Sequence, residues 1–160
     1  MRTDPARLAM LKRVLLLDLP SESLYDKFTQ LLAENLDVPI AILNLLDADR
    51  DLFKSCIGLS MTESPAATSF CEAFFNTTVD LVVAQDTLAD ARFANHPFVV
   101  NSPHVRFYAG ARLVVDGHTI GTLCAYDLRP KVLSVEQLDN MRILAAAVIE
   151  SLRSRLNSHP

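Results

Sequence analysis

Apolar residues recur at helical spacing near both ends of the chain. Asp4 and Pro5 supply an N-cap acid and a proline at the first helical position, and they predict a helix that ends by Pro20. A second helix is predicted to begin after a cap at Ser21 and to end at Asp37. The apolar positions that define these two helices are Leu8, Leu11, Val14 and Leu15, and then Leu24, Phe28, Leu31 and Leu32.

A third helix is predicted to run from Ser134 to about residue 157. Ser134 and Gln137 have the spacing of a capping box, in which each side chain bonds the backbone of the other. An apolar stripe follows at spacings of three and four, and it suits packing on a sheet or on another helix. This stripe consists of Leu138, Met141, Ala145, Val148 and Leu152.

Strand patterns lie between the helices. Asp116-Gly117 separates two of them and is the strongest hairpin signal in the chain. Residues 59–67 are predicted to form a loop, and residues 69–75 a short helix. Residues 86–103 are predicted to form a long, partly helical loop, and loops of this length in a compact domain usually have a function. The predicted strands are 40–46, 52–57, 79–84, 105–115 and 118–126.

This order of elements predicts an α+β fold. Strands gathered between terminal helices favour a central antiparallel sheet with helices on one face. We expect an N-terminal helix over 1–20, one domain over 21–157 that includes the C-terminal helix, and a tail at 158–160.

Composition narrows the class of protein. Half of the 160 residues are hydrophobic, which is enough for one core, and the net charge of −4 offers no basic surface for nucleic acid or an anionic membrane. No apolar run approaches ~20 residues, and no signal peptide is evident. Three cysteines are too few for a disulfide framework. We therefore expect a soluble, reduced, cytoplasmic domain.

The chain lacks the common catalytic and metal-binding motifs. The four glycines form no phosphate-binding loop, and no Cys-x-x-Cys or His-x-x-x-His pair indicates a zinc site. Cys56 and Cys124 lie in predicted strands, where a packing role is favoured. Cys71 lies near the start of a short helix, whose dipole lowers a thiol pKa, although burial against Phe70 and Phe74 is the alternative. No base for a nucleophile is evident.

The long loop carries a cluster of opposite charges. Asp86, Asp90 and Arg92, beside Phe93, would either orient a polar ligand or lock the loop, and both interpretations stay open. Phe107 and Tyr108 begin the next strand on alternate faces, so one of the pair is expected to face the loop. A pocket between sheet and loop would then have aromatic walls, as small-molecule sites usually do.

Three blocks of the sequence resemble the bacterial GAF domain: DTLADARFANHPFV at 86–99, VRFYAGARL at 105–113 and GTLCAYD at 121–127. FKS at 53–55, GL at 58–59 and SFC at 69–71 fit the same pattern, and the likeness runs from about Ala6 to Leu156. The resemblance implies a sheet of five or six strands, with the terminal helices on one face and short helices and loops over a pocket on the other. It also implies a sensory module that binds a small molecule, dimerises through its terminal helices and sits before a kinase or cyclase domain.

The same resemblance supplies candidate ligand-binding residues. The family's pocket would lie between the strands at Phe107 and Gly121, the short helix and the long loop. A covalent bilin is not expected, because Cys71 is followed by Glu72 rather than by histidine. The candidates are Phe70, Cys71, Asp86, Arg92, Phe93, Phe107, Tyr108, Thr122 and Cys124.

The favoured function is a non-catalytic sensor that binds a small molecule. The sequence identifies neither this ligand nor a cofactor. One alternative is a thiol-dependent reductase of the free-methionine-sulfoxide type that uses Cys71 and Cys124, although residues 86–104 lack the cysteine expected there. Another is a pure dimerisation module whose pocket is filled by Phe93 and Phe107. The dimer prediction rests on residues 14–17 and on the stripe from 138 to 152, which would otherwise face the sheet.

Overall fold

The architecture is an antiparallel sheet covered by helices on one face and by loops on the other. The structure is a computed structural model that describes residues 1–17 and 22–158. Within this part of the chain, six strands are ordered β3-β2-β1-β6-β5-β4. They are β1 (Ile40–Leu46), β2 (Arg50–Ile57), β3 (Glu63–Pro65), β4 (Leu81–Ala84), β5 (Phe107–Val115) and β6 (His118–Asp127). The helices are α1 (Pro5–Leu15), α2 (Glu22–Leu36), α3 (Pro97–Val100) and α4 (Val135–Ser158).

The predicted α+β class is confirmed, and local signals place its elements. The Asp4 carboxylate accepts a hydrogen bond of 2.9 Å from the Arg7 amide at the start of α1. Ser134 and Gln137 bond each other's amides at 2.9 and 3.1 Å, so the capping box forms. Asp116 and Gly117 both have positive φ, 49° and 80°, as a tight hairpin turn requires. The predicted cap at Ser21 lies outside the described residues.

Three segments differ from their predicted form. Residues 63–65 form the edge strand β3, although 59–67 is predicted to be a loop; three residues are too few to show an alternating pattern. The predicted short helix is a 3-10 helix over Phe70–Asn76, capped by Ser69. The predicted third strand is shorter, and β4 pairs antiparallel with β5 at the other sheet edge.

The face of the sheet that carries α1, α2 and α4 holds the larger core. Val14 and Leu17 are 0% and 8% exposed in it. The α4 stripe, Met141 to Leu152, also packs into this core. The apolar segments behind the dimer prediction therefore contact their own sheet. None of the helices in the described ranges is long and apolar enough to cross a membrane.

Candidate functional site

A cavity of about 190 Å³ lies on the loop-covered face of the sheet, over β1. Because side chains alternate along a strand, Ile40, Ile42 and Asn44 of β1 share this face, and the intervening residues enter the helix-side core. Its walls are mainly apolar and include four aromatic rings. The full lining is Ile40, Ile42, Asn44, Asp51, Phe53, Leu59, Met61, Ser64, Thr68, Ser69, Phe70, Phe98, Pro103, Val105 and Tyr126.

Asp51 is the single charged residue in that lining, and its charge is balanced. The residue is 3% exposed, and its carboxylate lies 2.9 Å from the Arg2 guanidinium and accepts a short hydrogen bond from the Ser69 hydroxyl. Burial raises the pKa of Asp51, while Ser69 and Arg2 favour the ionised form. Arg2 also pairs with Glu72 at 2.9 Å, so the cavity presents no unpaired charge.

Asn44 has one paired and one unpaired amide atom. Its Nδ2 group donates over 3.4 Å to Thr122 Oγ1 and makes longer contacts, 3.5 and 3.7 Å, with the sulfurs of Cys71 and Cys124. The Oδ1 atom is buried and has no hydrogen-bond partner among the described residues. An unsatisfied acceptor in a buried side chain is costly and therefore needs an explanation.

Cys71 and Cys124 form a buried dithiol behind Asn44. Their sulfurs are 3.5 Å apart, and Thr122 Oγ1 contacts them at 3.0 and 3.1 Å. The contact with Cys124, followed by burial, holds the pKa of Cys71 well above its usual range. For Cys124, burial is the largest influence and acts upward, but hydrogen bonds with Cys71, Thr122 and Tyr108 outweigh it and lower the pKa. Neither thiol is exposed.

An aromatic cluster fills the space next to the cavity. The Phe70 ring lies 5.2 Å from both Phe93 and Tyr108, and 4.0 Å from the His96 imidazole. His96 Nδ1 accepts a hydrogen bond of 3.0 Å from the Phe98 amide, and its Nε2 lies 3.0 Å from the Thr68 carbonyl oxygen. These two partners fit a neutral imidazole protonated on Nε2, and burial lowers the pKa of His96. His96 thus fixes α3 and its Phe98 side chain against the cavity.

Most of the candidate ligand-binding residues lie in this cluster rather than in the cavity. Of the nine candidates, Phe70 lines the cavity. Thr122 contacts both sulfurs of the dithiol. Five candidates pack side by side on the loop-covered face: Phe70, Cys71, Phe93, Tyr108 and Cys124.

The remaining candidates serve other parts of the fold. Phe107 enters the helix-side core, as the alternation with Tyr108 predicts for one of the two. The Asp86 carboxylate caps a 3-10 turn by accepting from the Leu88 amide at 3.1 Å. Arg92 pairs with Asp90 at 2.6 Å, which locks the loop. Arg92 and Phe93 also border a second, larger and more polar depression of about 780 Å³.

Sequence reasoning missed the cavity walls contributed by β1 and β2. Asn44 is the one polar residue in the run 40–46, and that run is buried throughout. A polar residue inside such a run is the signal that could have indicated the site, because a buried amide needs partners from outside its own strand. Among the described residues, no group of three or more His, Cys, Asp or Glu side chains is placed to hold a metal ion.

A sheet with terminal helices on one face and a loop-covered cavity on the other is the architecture of a class of sensory or regulatory domains. Residues 20–152 match the model of the GAF domain family, so the chain belongs to that family. Membership makes it a sensory or regulatory domain, as the sequence blocks indicate.

Comparison with known proteins gives a relative that the chain matches in part and two solved structures with the same fold. The chain is 30% identical over 156 residues to a cyclic di-GMP phosphodiesterase of Pseudomonas aeruginosa. The match covers 94% of this chain and 26% of the phosphodiesterase, so the chain spans about a quarter of the length of that relative. The GAF domain of an Acinetobacter phosphoenolpyruvate-protein phosphotransferase superposes with a TM-score of 0.67 at 15% identity, over 94% of this chain and 95% of that one. A type II free methionine-R-sulfoxide reductase from Thermoplasma acidophilum superposes with a TM-score of 0.66 at 13% identity, over 83% and 92% of the two chains.

Proposed function

We propose that this GAF domain is a non-catalytic sensor that binds a small molecule in the cavity over β1. The observation that carries the proposal is the cavity itself, about 190 Å³ of mainly apolar lining with a few polar groups. Concave, mainly apolar walls with a small number of oriented polar groups are the usual features of a small-molecule site. Leu59 and Met61, 38% and 43% exposed, lie at its border, where a ligand would cover them.

Strand β1 connects the cavity to the terminal helices. Ile42 and Asn44 line the cavity, whereas Leu43 and Leu45 pack in the core shared with α2 and α4. A ligand that favours one position of β1 therefore favours one arrangement of the helices, by no more than its difference in affinity for the two states. The output partner would be a kinase, a cyclase or, as in the Pseudomonas relative, a domain that acts on cyclic di-GMP.

Mass spectrometry of the purified chain tests this function. We expect the native mass per protomer to exceed the mass of the denatured chain, and a small molecule to be released on denaturation. Ile42→Phe, which fills the cavity, should lose that molecule, while Leu128→Phe at an exposed position outside the cavity lining should keep it. Equal native and denatured masses, together with no thermal stabilisation by any member of a small-molecule library, would contradict the proposal.

Dimerisation through the terminal helices is a separate part of the proposal. Since the α4 stripe packs on its own sheet, the dimer would use the opposite face of α4, where Val135 and Ile143 are 75% and 64% exposed. Light scattering at micromolar concentration should give a dimer for the native chain and a monomer for Ile143→Glu. Leu128→Glu, which changes an exposed residue away from α4, is the matched control. A native chain that is monomeric at that concentration would contradict the dimer.

The 3.5 Å separation of the Cys71 and Cys124 sulfurs favours a thiol-dependent reductase as the second candidate. Such a pair would give two electrons and two protons to a sulfoxide, which becomes a sulfide and water while the disulfide forms. Turnover of methionine sulfoxide with added dithiol that disappears in Cys71→Ser, and persists in Cys56→Ser, would establish this activity and overturn the non-catalytic proposal.

A further inference from the structure

The unpaired Asn44 oxygen gives the cavity a chemical preference. We propose that the ligand is a neutral, compact aromatic molecule with one N–H or O–H donor, which it places on Asn44 Oδ1. This inference rests on the proposed sensor function and specifies the class of ligand. Four properties of the cavity support it: its size, its charge, its rings and the state of the Asn44 amide.

Size limits the ligand to one or two rings. An engineered apolar cavity of about 150 Å³ in another protein is sufficient for benzene. The cavity over β1 measures about 190 Å³, so it holds a single substituted ring or a compact fused pair.

Charge excludes anionic ligands. The lining contains no lysine, arginine or histidine, and its one ionisable acid, Asp51, is already paired with Arg2. An anion would lose its hydration, find no cation and face a carboxylate, which is strongly unfavourable. A cation would compete with Arg2 for Asp51. A neutral ligand meets neither cost.

The walls favour an aromatic ring. Phe53, Phe70, Phe98 and Tyr126 all line the cavity, and Phe70 and Tyr126 already meet edge-to-face with ring centroids 5.4 Å apart. A ligand ring makes offset or edge contacts of the same kind, which add to the gain from apolar burial. The Met61 thioether at the border adapts to a flat ligand.

The Asn44 amide selects a donor. Asn44 is 1% exposed and lines the cavity. Its Nδ2 group contacts Thr122 and the Cys71–Cys124 dithiol, and these three residues do not line the cavity. Oδ1 therefore remains a buried acceptor without a partner among the described residues. The Thr68 hydroxyl donates to the Pro65 carbonyl and the Ser69 hydroxyl to Asp51, so these two groups are already engaged. A ligand N–H or O–H removes the cost of the unsatisfied oxygen.

Three small probes test the inference on the full chain. Indole carries the donor, 1-benzofuran has nearly the same shape without it, and indole-3-carboxylate adds a negative charge. We expect calorimetry to show indole binding about tenfold more tightly than 1-benzofuran, because an unsatisfied buried acceptor costs that order of affinity. Indole-3-carboxylate should bind more weakly than both.

The variant Asn44→Leu tests whether the Asn44 amide causes the preference for indole over 1-benzofuran. This variant should keep its affinity for 1-benzofuran and lose the preference for indole, so that the two affinities agree within about twofold. Asn140→Leu changes an asparagine that bonds Asn35 on the helix side, and it should keep the native preference. If Asn44→Leu does not fold, the affinity ratio in the native chain still decides.

The outcomes separate the ligand class from the sensor function. Equal affinities for indole and 1-benzofuran in the native chain, or tighter binding of indole-3-carboxylate, would overturn the ligand class and leave the sensor function intact. A chain that holds a co-purified molecule but binds neither neutral probe would do the same. A chain that binds no small molecule at all would overturn both.

Discussion

His96 joins three parts of the loop layer through one neutral ring. It caps α3 through Nδ1, contacts the Thr68 carbonyl through Nε2 and stacks on Phe70. Protonation of Nδ1 would remove the acceptor for the Phe98 amide. Because burial lowers the pKa of His96, the unfolded chain takes up this proton at a higher pH than the folded chain.

An unperturbed histidine has a pKa of about 6.5, and the pKa of His96 in the folded chain is lower. The free energy of unfolding should therefore fall as the pH drops from about 6.5 toward the pKa of the folded state. Above about pH 6.5, where His96 is neutral in both states, its full contribution to the free energy of unfolding is present. His96→Asn keeps a capping oxygen but does not titrate, so urea unfolding should show a shallower decline between about pH 7 and pH 5. Asn95→Ala, at an exposed position in the same loop that carries no titratable group, should keep the native slope. An unchanged slope in His96→Asn would contradict this assignment.

The three cysteines should differ in reactivity. Cys71 and Cys124 are both 0% exposed, whereas Cys56 is half-buried on β2. With a thiol reagent such as Ellman's, we expect one thiol to react in the native chain and three in denaturant. Cys56→Ser should remove the native signal. Rapid reaction of a second thiol in that variant would show that the dithiol is accessible, which the reductase alternative requires.

At the scale of elements, the pairing of β1 with β6 depends on Gly121. A Cβ atom at this position would lie 2.2 Å from the Asn44 carbonyl oxygen, in the backbone of the neighbouring strand. Gly121→Ala must therefore push the strands apart, and we expect a loss of about 1–3 kcal/mol or more in the free energy of unfolding. Gly117→Ala meets no atom within 4 Å, and its effect is limited to the positive φ of 80°. Thermal or urea unfolding of both variants should show the larger loss at Gly121.

The elements that sequence reasoning placed correctly have signals within a few residues. The α1 cap, the capping box of α4 and the Asp116-Gly117 turn are each decided by neighbouring side chains. The edge strand β3 and the position of the cavity depend instead on which strands become neighbours. Short-range spacing does not contain that information, so the sequence places its candidates around Phe93 and Tyr108, in the aromatic cluster next to the cavity.

At the scale of the whole molecule, Arg2 ties the N-terminal segment to the sheet and to the loop layer. Its guanidinium pairs with Asp51 of β2 and with Glu72 of the 3-10 helix, and the Arg2 and Asp51 side chains are 6% and 5% exposed. Removal of one partner of a buried pair leaves the other charge uncompensated, at a cost of about 3–5 kcal/mol. We expect Arg2→Met to lower the free energy of unfolding by that amount.

The double variant Arg2→Met with Asp51→Asn should recover most of the loss, since it removes both charges. Arg50→Met provides the control, because the Arg50–Glu63 pair is about half exposed on each side and should contribute little. Equal effects of Arg2→Met and Arg50→Met on urea unfolding would contradict a structural role for the buried pair.

The position of β6 between β1 and β5 has a consequence for how the chain folds. β5 and β6 are joined by a two-residue turn and pair locally, whereas Asn44 of β1 and Thr122 of β6 are 78 residues apart in sequence. Contacts between distant residues form late, because closing a long loop costs entropy before it is repaid. We expect the cavity to be completed in the last step of refolding, when pulsed thiol labelling should show Cys71 and Cys124 becoming protected together.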